Sequence, residues 1–236
     1  MSSAVRVRAL AHADLTSAAR LHRCVLDMEF LSRYGQGFMR AYYQAWVEAP
    51  QSIALAAVDE HDTLVGTLLG AVDPTAHTRG MVRQHGVTLG TRLAVQALGH
   101  PALAKDLIVT RGRRYVRGLS LLVAAQSPRR PETPIAGTGG PTVGVITHLA
   151  VHPDRQRSGI GRALVDAAVM AGRNADLDEL VLVTPPDLAA RTFYERLGWL
   201  ASGEVTSQSG EAFLRYRFPL APNGPQASKR PPPDVG

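Results

Sequence analysis

The chain has 236 residues, 45% of them hydrophobic, and a formal net charge of +6. That length holds one α/β core with an elaboration and is short for two complete domains. A single cysteine, Cys24, excludes an intrachain disulfide framework and a cysteine-rich zinc site, and no metal site is expected.

The opening MSSAVRVRAL lacks the basic-then-apolar layout of a secretory leader, and no apolar run reaches the roughly 20 residues that span a bilayer. A cytoplasmic protein is the expectation, and a lone thiol fits a reducing compartment. Nearly all the positive charge is arginine, with Lys105 and Lys229 the only lysines. The planar guanidinium fork suits phosphates and carboxylates, which favours an anionic ligand. Arginine-preferring codon usage would leave the same composition, so charge alone assigns no site.

In chain order, Val5-Arg6-Val7-Arg8 alternates as a strand does. Asp14 suits the N-cap of a helix carrying Leu15, Ala18, Ala19, Leu21, His22, Val25 and Leu26. A second helix is predicted over 36–48, with Phe38, Met39, Tyr42, Tyr43 and Trp46 at helical spacing and Pro50 closing it. Strands at 53–58 and 64–72 meet in a hairpin at Glu60-His61-Asp62. From Asp73 to Val123 the sequence predicts short helical stretches broken by Gly86, Gly90, Gly99-His100-Pro101 and Gly112. This stretch is heavily basic: Arg79, Arg83, Arg92, Lys105, Arg111, Arg113, Arg114 and Arg117 face only Asp73 and Asp106. The Pro-, Gly- and Thr-rich run 127–142 reads as a flexible loop. A strand at 143–151, a helix at 159–172, a strand at 180–184 and a helix at 188–197 then alternate quickly, followed by strands near 200–205 and 212–218. The tail 221–236, with its Pro231-Pro232-Pro233, is expected to be disordered.

The richest segment for chemistry runs from Thr147 to Leu164. A β-rich run ends at His152-Pro153, a polar turn follows, and Gly159 and Gly161 open an apolar helix. Backbone N–H groups at a helix start lack intrahelical partners, and the helix dipole makes that end positive. Glycine lets such a backbone approach a pyrophosphate, and Arg155, Arg157 and Arg162 add countercharge. A strand-to-helix turn whose glycines only ease packing has the same pattern, so spacing by itself leaves both readings open. No Gly-x-Gly-x-x-Gly and no Gly-Lys-Ser/Thr is present, which argues against a dinucleotide fingerprint and a P-loop.

Gln156-x-x-Gly159-x-Gly161, preceded by Leu-Ala-Val-His-Pro, resembles the Gln/Arg-x-x-Gly-x-Gly/Ala signature of GNAT N-acetyltransferases. Ala190-Arg191-Thr192-Phe193-Tyr194-Glu195-Arg196-Leu197-Gly198-Trp199 is similar to that family's A-x-x-F-Y-x-x-x-G-F segment. The resemblance covers 5–72 and 143–218 and does not explain 73–142, although a bacterial GNAT subgroup is similar in its 30–43 segment and its long insertion. It implies an α/β GNAT fold within 1–220: a mixed six- to seven-stranded sheet with a splayed central strand pair, helices on both faces, and a helical insertion with a flexible loop at 73–142.

The resemblance also implies acetyl-CoA as co-substrate. Leu149, Ala150 and Val151 would meet its pantetheine arm as an added strand. Gln156, Arg157, Ser158, Gly159, Ile160, Gly161 and Arg162 would hold its pyrophosphate through main-chain amides. Tyr194 would act as the general acid for the leaving thiolate; a packed aromatic is the alternative. Asp187 stands where the family commonly has a cofactor-contacting asparagine, and it equally suits a helix cap. No general base is assigned among His148, His22, His77, His85 and His100.

The expected reaction is acetyl transfer to a primary amine of a small molecule, such as an amino sugar. Protein lysine or N-terminal acetylation and a non-catalytic acyl-CoA- or nucleic-acid-binding module are the alternatives. Nucleic acid is not the expected partner. The basic insertion could be an acceptor lid, a homodimer face or a membrane contact.

Overall fold

The computed structural model describes residues 5–26, 30–99, 141–206 and 212–220. Strand β1 (Arg6–Ala9) and helices α1 (Leu15–Val25) and α2 (Gly35–Glu48) precede the hairpin of β2 (Ser52–Val58) and β3 (Leu64–Ala71). Helix α3 (Pro74–Gly99) follows. The second half runs β4 (Val143–Val151), α4 (Ile160–Asn174), β5 (Glu179–Thr184), α5 (Leu188–Arg196), β6 (Leu200–Thr206) and β7 (Ala212–Pro219). Seven strands form one sheet in the order β1-β2-β3-β4-β5-β7-β6. β4 and β5 are parallel and the other neighbouring pairs antiparallel. This is the mixed α/β sheet, with helices on both faces, that the sequence predicts.

Helical spacing explains the layering. Leu15, Ala18, Ala19, Leu21 and His22 make one buried stripe on α1, and Ile160, Leu164, Val165, Ala168 and Val169 make another on α4. With α2, α1 covers the sheet face that presents Ala56, Leu69 and Ala71. Helix α4 covers the opposite face, over Ile53, Ala57, Val65, Leu68 and Ile146. Neighbours such as Leu68 and Leu69 thus enter different cores, as the two-residue period of a strand requires. No described helix is long and apolar enough to cross a membrane.

Two local expectations fail. Gly86 and Gly90 do not break the chain, and α3 runs unbroken from Pro74. Asp73 starts it by accepting from the N–H groups of Thr75 and Ala76 at 3.0 and 2.9 Å. Each interior glycine costs about 1 kcal/mol relative to alanine, which burial of one leucine, about 1.5–3 kcal/mol, offsets. Leu93 is buried, and Met81 and Leu89 pack against the α1–α2 core. Asp14 does not cap α1: its carboxylate turns back to the Ala11 N–H at 2.8 Å and to the Arg8 guanidinium, whose hydrogen bonds hold its pKa below the usual range. His100, Lys105, Asp106, Gly112, the arginines at 111, 113, 114 and 117, the 127–140 part of the predicted loop and the 221–236 tail lie outside the described residues.

Candidate active site

β3 pairs with β4 in a register that skips one residue: Leu69 faces His148, Gly70 faces Ile146, and Thr147 is left over as a bulge. The Thr147 hydroxyl donates to the Leu69 carbonyl at 3.1 Å. A Cβ on Gly70 would lie 2.6 Å from the Val145 carbonyl oxygen, so only glycine fits against this bulge. The parallel ladder to β5 ends at Ile146–Leu182, although β4 continues to Val151 and β5 to Thr184. The two strands therefore part at the bulge. The His152 N–H bonds back to the Val65 carbonyl at 2.9 Å. Alternation along an antiparallel strand then turns the backbone of Ala150 toward β3, and that of Leu149 and Val151 into the gap. Ala150 therefore offers the gap no main-chain group.

Beyond β4 the chain makes a 3₁₀ turn, Pro153–Arg155, and enters α4 through two left-handed residues, Arg157 at φ 60° and Gly159 at φ 86°. The two glycines of the motif have different reasons. A Cβ on Gly159 would meet nothing within 4 Å, so the backbone angle selects glycine there. A Cβ on Gly161 would lie 3.3 Å from the Phe193 ring, so packing selects glycine there. The Gln156 N–H bonds the Pro153 carbonyl at 3.2 Å, and the Ala163 N–H bonds the Gly159 carbonyl at 3.0 Å. Among the described residues, no acceptor takes the N–H groups of Arg157, Ser158, Gly159, Ile160, Gly161 or Arg162 between them. Gln156 thus stands apart from the run, its side chain reaching the Val151 carbonyl at 3.4 Å. Arg155 pairs with Asp59 at 3.7 Å and Arg162 with Asp166 at 3.5 Å.

Tyr194 is buried on α5 against Phe193, Trp199 and Tyr216. Burial first, and the negative charge of Asp187 second, push its pKa up to about 12. No described residue hydrogen-bonds its hydroxyl, so the group is protonated and unengaged within the described fold. Asp187 is the N-cap of α5, accepting from the Ala190 N–H at 2.8 Å. That engagement, and its negative charge, set it apart from an amide that could donate to a cofactor.

Of the candidate bases, the structure brings His148 and His22 together on the α1–α2 side of the gap, with ring centroids 5.0 Å apart. The edge of Tyr42 meets the His148 ring at 5.8 Å. Elsewhere, His77 stacks on Trp46 at 4.1 Å, and burial lowers its pKa. His85 lies 3.5 Å from Glu48.

Residues 123–199, which span the gap strand, the bend into α4 and α5, match the model of the acetyltransferase (GNAT) family. The match identifies a GNAT acetyltransferase domain there and leaves the rest of the chain outside it. That match supports acetyl-CoA-dependent N-acetyl transfer, and solved structures share the chain's fold at low identity. The ribosomal-protein-S18-alanine N-acetyltransferase of Escherichia coli is 12% identical, with a TM-score of 0.54 over 94% of this chain and 98% of its own. A spermidine N-acetyltransferase chimera from Vibrio cholerae and hSSAT is 12% identical, with a TM-score of 0.55 over 92% and 95%. The NatC complex bound to Gag peptide and CoA is 15% identical, with a TM-score of 0.51 over 92% and 99%. None of the curated protein sequences resembles this acetyltransferase closely enough to count as a relative.

Two features of this GNAT domain escaped the sequence reading. The bulge at Thr147 sets where the gap opens, and its signal was Gly70, a glycine inside an apolar strand. Phe193, read only as part of a motif, closes on the first turn of α4 through Gly161.

Proposed function

We propose that this acetyltransferase moves the acetyl group of acetyl-CoA directly to a primary amine of a small metabolite, an amino sugar being the favoured class. The observation that carries the proposal is the run of six uncommitted N–H groups, Arg157 to Arg162, at the end of the unpaired edge of β4. Six amides at a helix N-terminus beside a left-handed bend form a concave donor set that fits a diphosphate. The Leu149 and Val151 backbones, turned into the gap, would pair with the amides of the pantetheine arm as a further strand would. Main-chain N–H groups there also suit the oxyanion that forms when an amine attacks the thioester carbon. When the C–S bond breaks, Tyr194 donates a hydrogen bond to the departing sulfur. With a pKa near 12, against about 8.5 for an ordinary thiol, the hydroxyl stabilises a thiolate as a donor more readily than it gives its proton up.

Helix α3 packs along α2 and fills part of the connection before β4, which supports a compact acceptor over a long peptide. The peptide reading keeps its own support, since alanine N-acetylation and Gag-peptide binding appear among proteins of this fold. Calorimetry with acetyl-CoA, followed by thiol release on glucosamine, spermidine and an alanine-initiated peptide, tests both. Gly159→Val is expected to weaken acetyl-CoA binding about 10-fold or more, because a β-branched residue resists a left-handed angle. Tyr194→Phe is expected to lower kcat at least about 10-fold with acetyl-CoA affinity kept. Binding without turnover on any amine would favour a non-catalytic acyl-CoA module, and an unchanged affinity in Gly159→Val would remove the cradle.

A further inference from the structure

We infer that His77 of α3 is a positioning residue for acetyl transfer. Through Trp46 and Tyr42 of α2 it fixes the wall of the gap that faces the acceptor, a role that rests on the acetyl-transfer reading above. An element outside the matched residues 123–199 thus shapes acceptor selectivity.

Two rows of side chains, each with a four-residue repeat, set up the contact. Tyr34, Phe38, Tyr42 and Trp46 run along α2, and each ring meets the next, with centroids 5.5, 6.4 and 6.2 Å apart. On α3 the inward residues are His77, Met81, His85, Leu89 and Leu93. The rows meet at one end. The His77 ring lies on Trp46 with centroids 4.1 Å apart and planes 32° from parallel, and each residue is only 4% exposed.

From Trp46 the row leads back to Tyr42, whose edge meets the His148 ring at 5.8 Å. His148 is the second residue beyond Ile146, where the β4–β5 ladder stops, and its ring lies on the α1–α2 side. A thioester held from the α4 side leaves this side as the approach for an amine. Rings in edge or tilted contact cannot turn past one another unless space opens, and a protein interior has little space to open. Holding Trp46 from α3 therefore limits where the Tyr42 ring can stand beside that approach.

Stability alone does not account for the seat. Both His77 ring nitrogens and the Trp46 indole N–H are buried with no hydrogen-bond partner in the protein. The Pro50 carbonyl lies near the imidazole without completing a bond. Groups buried unpaired oppose folding, and a leucine would fill the same seat without that cost. What an aliphatic side chain would lack is the flat face against the indole.

The test uses the full chain, with thiol release from acetyl-CoA on glucosamine, spermidine and an alanine-initiated peptide. His77→Leu is expected to raise KM for the best of these acceptors about 10-fold, with acetyl-CoA affinity by calorimetry within about 2-fold of the parent's. Its thermal midpoint is expected at or above the parent's, which separates the loss from unfolding. His77→Phe, which restores a flat ring, is expected to bring KM back to within about 3-fold. Trp46→Leu is expected to match His77→Leu, and the double variant to be no worse than either, as for two links of one chain. Leu93→Ala, at the far end of α3, is expected to lower the midpoint and leave KM within about 2-fold. Equal rises in KM for His77→Leu and Leu93→Ala reduce the seat to general helix docking and overturn the assignment. An unchanged KM in His77→Leu, or additive effects in the double variant, also overturns it and leaves acetyl transfer standing. No turnover by the unsubstituted chain on any acceptor overturns both.

Discussion

Behind α4 the sheet buries Ile146, Leu164, Val165 and Ala168, side chains with nothing to donate or accept. Behind α1 and α2 it buries His22, Thr67 and the Tyr43 hydroxyl among equally apolar neighbours. The contrast divides labour between main chain and side chains. On the α4 side the proposed anion cradle would consist of peptide nitrogens, so most substitutions that preserve the bend preserve the donors. On the α1–α2 side the polar atoms belong to particular side chains, and single replacements remove them.

The largest stability effect is expected in the apolar half. Leu164→Ala, at a position with no exposure, should cost about 3 kcal/mol, read as a lower urea midpoint at unchanged m-value. Next comes Tyr43→Phe, which keeps shape but strips the hydroxyl between His22 and Thr67, at a cost of about 1–2 kcal/mol. A Tyr43→Phe cost as large as that of Leu164→Ala would erase the distinction between the halves. Asp187→Ala should cost about 1 kcal/mol through the lost cap, with acetyl-CoA affinity held or slightly raised. A marked fall in affinity would instead return Asp187 to the cofactor.

The smallest expected effect is in acid. The Arg8 hydrogen bonds lower the Asp14 pKa in the folded state, so the group stabilises above its unfolded value of about 3.9 and that contribution disappears as pH falls through the folded value. Asp14→Asn should therefore flatten the acid limb of a stability-against-pH curve while leaving the neutral-to-alkaline limb parallel to the parent's.

Where one local rule dominated, the sequence was a sound guide. The bend into α4 announced itself because a strand, a polar turn and two spaced glycines leave a chain few other courses. The helices α1, α2 and α4 followed from buried stripes at helical spacing. Legibility failed where tertiary contact overrode local preference. Gly86 and Gly90 read as breaks, but the α1–α2 core takes up Leu93 and holds α3 straight. Asp14 read as a cap, but Arg8 lies across from it in space. The bulge at Thr147 leaves no mark on its own strand; its trace is Gly70 on the partner. The two imidazoles are far apart along the chain, and no one-dimensional pattern joins α1 to β4.

The tie between Arg155 and Asp59 has a further bearing on how a cofactor held at the proposed site would arrive. Asp59, with a side chain only 8% exposed, also accepts from the His61 and Thr63 N–H groups and so fixes the turn between β2 and β3. Through Arg155 that turn braces the bend on the far side of β4. A bend braced in advance loses its freedom when the chain folds rather than when a ligand docks, so little ordering entropy is left to oppose capture. Loosening a surface hairpin with no ligand contact of its own should then slow association and leave dissociation of the assembled complex nearly unchanged.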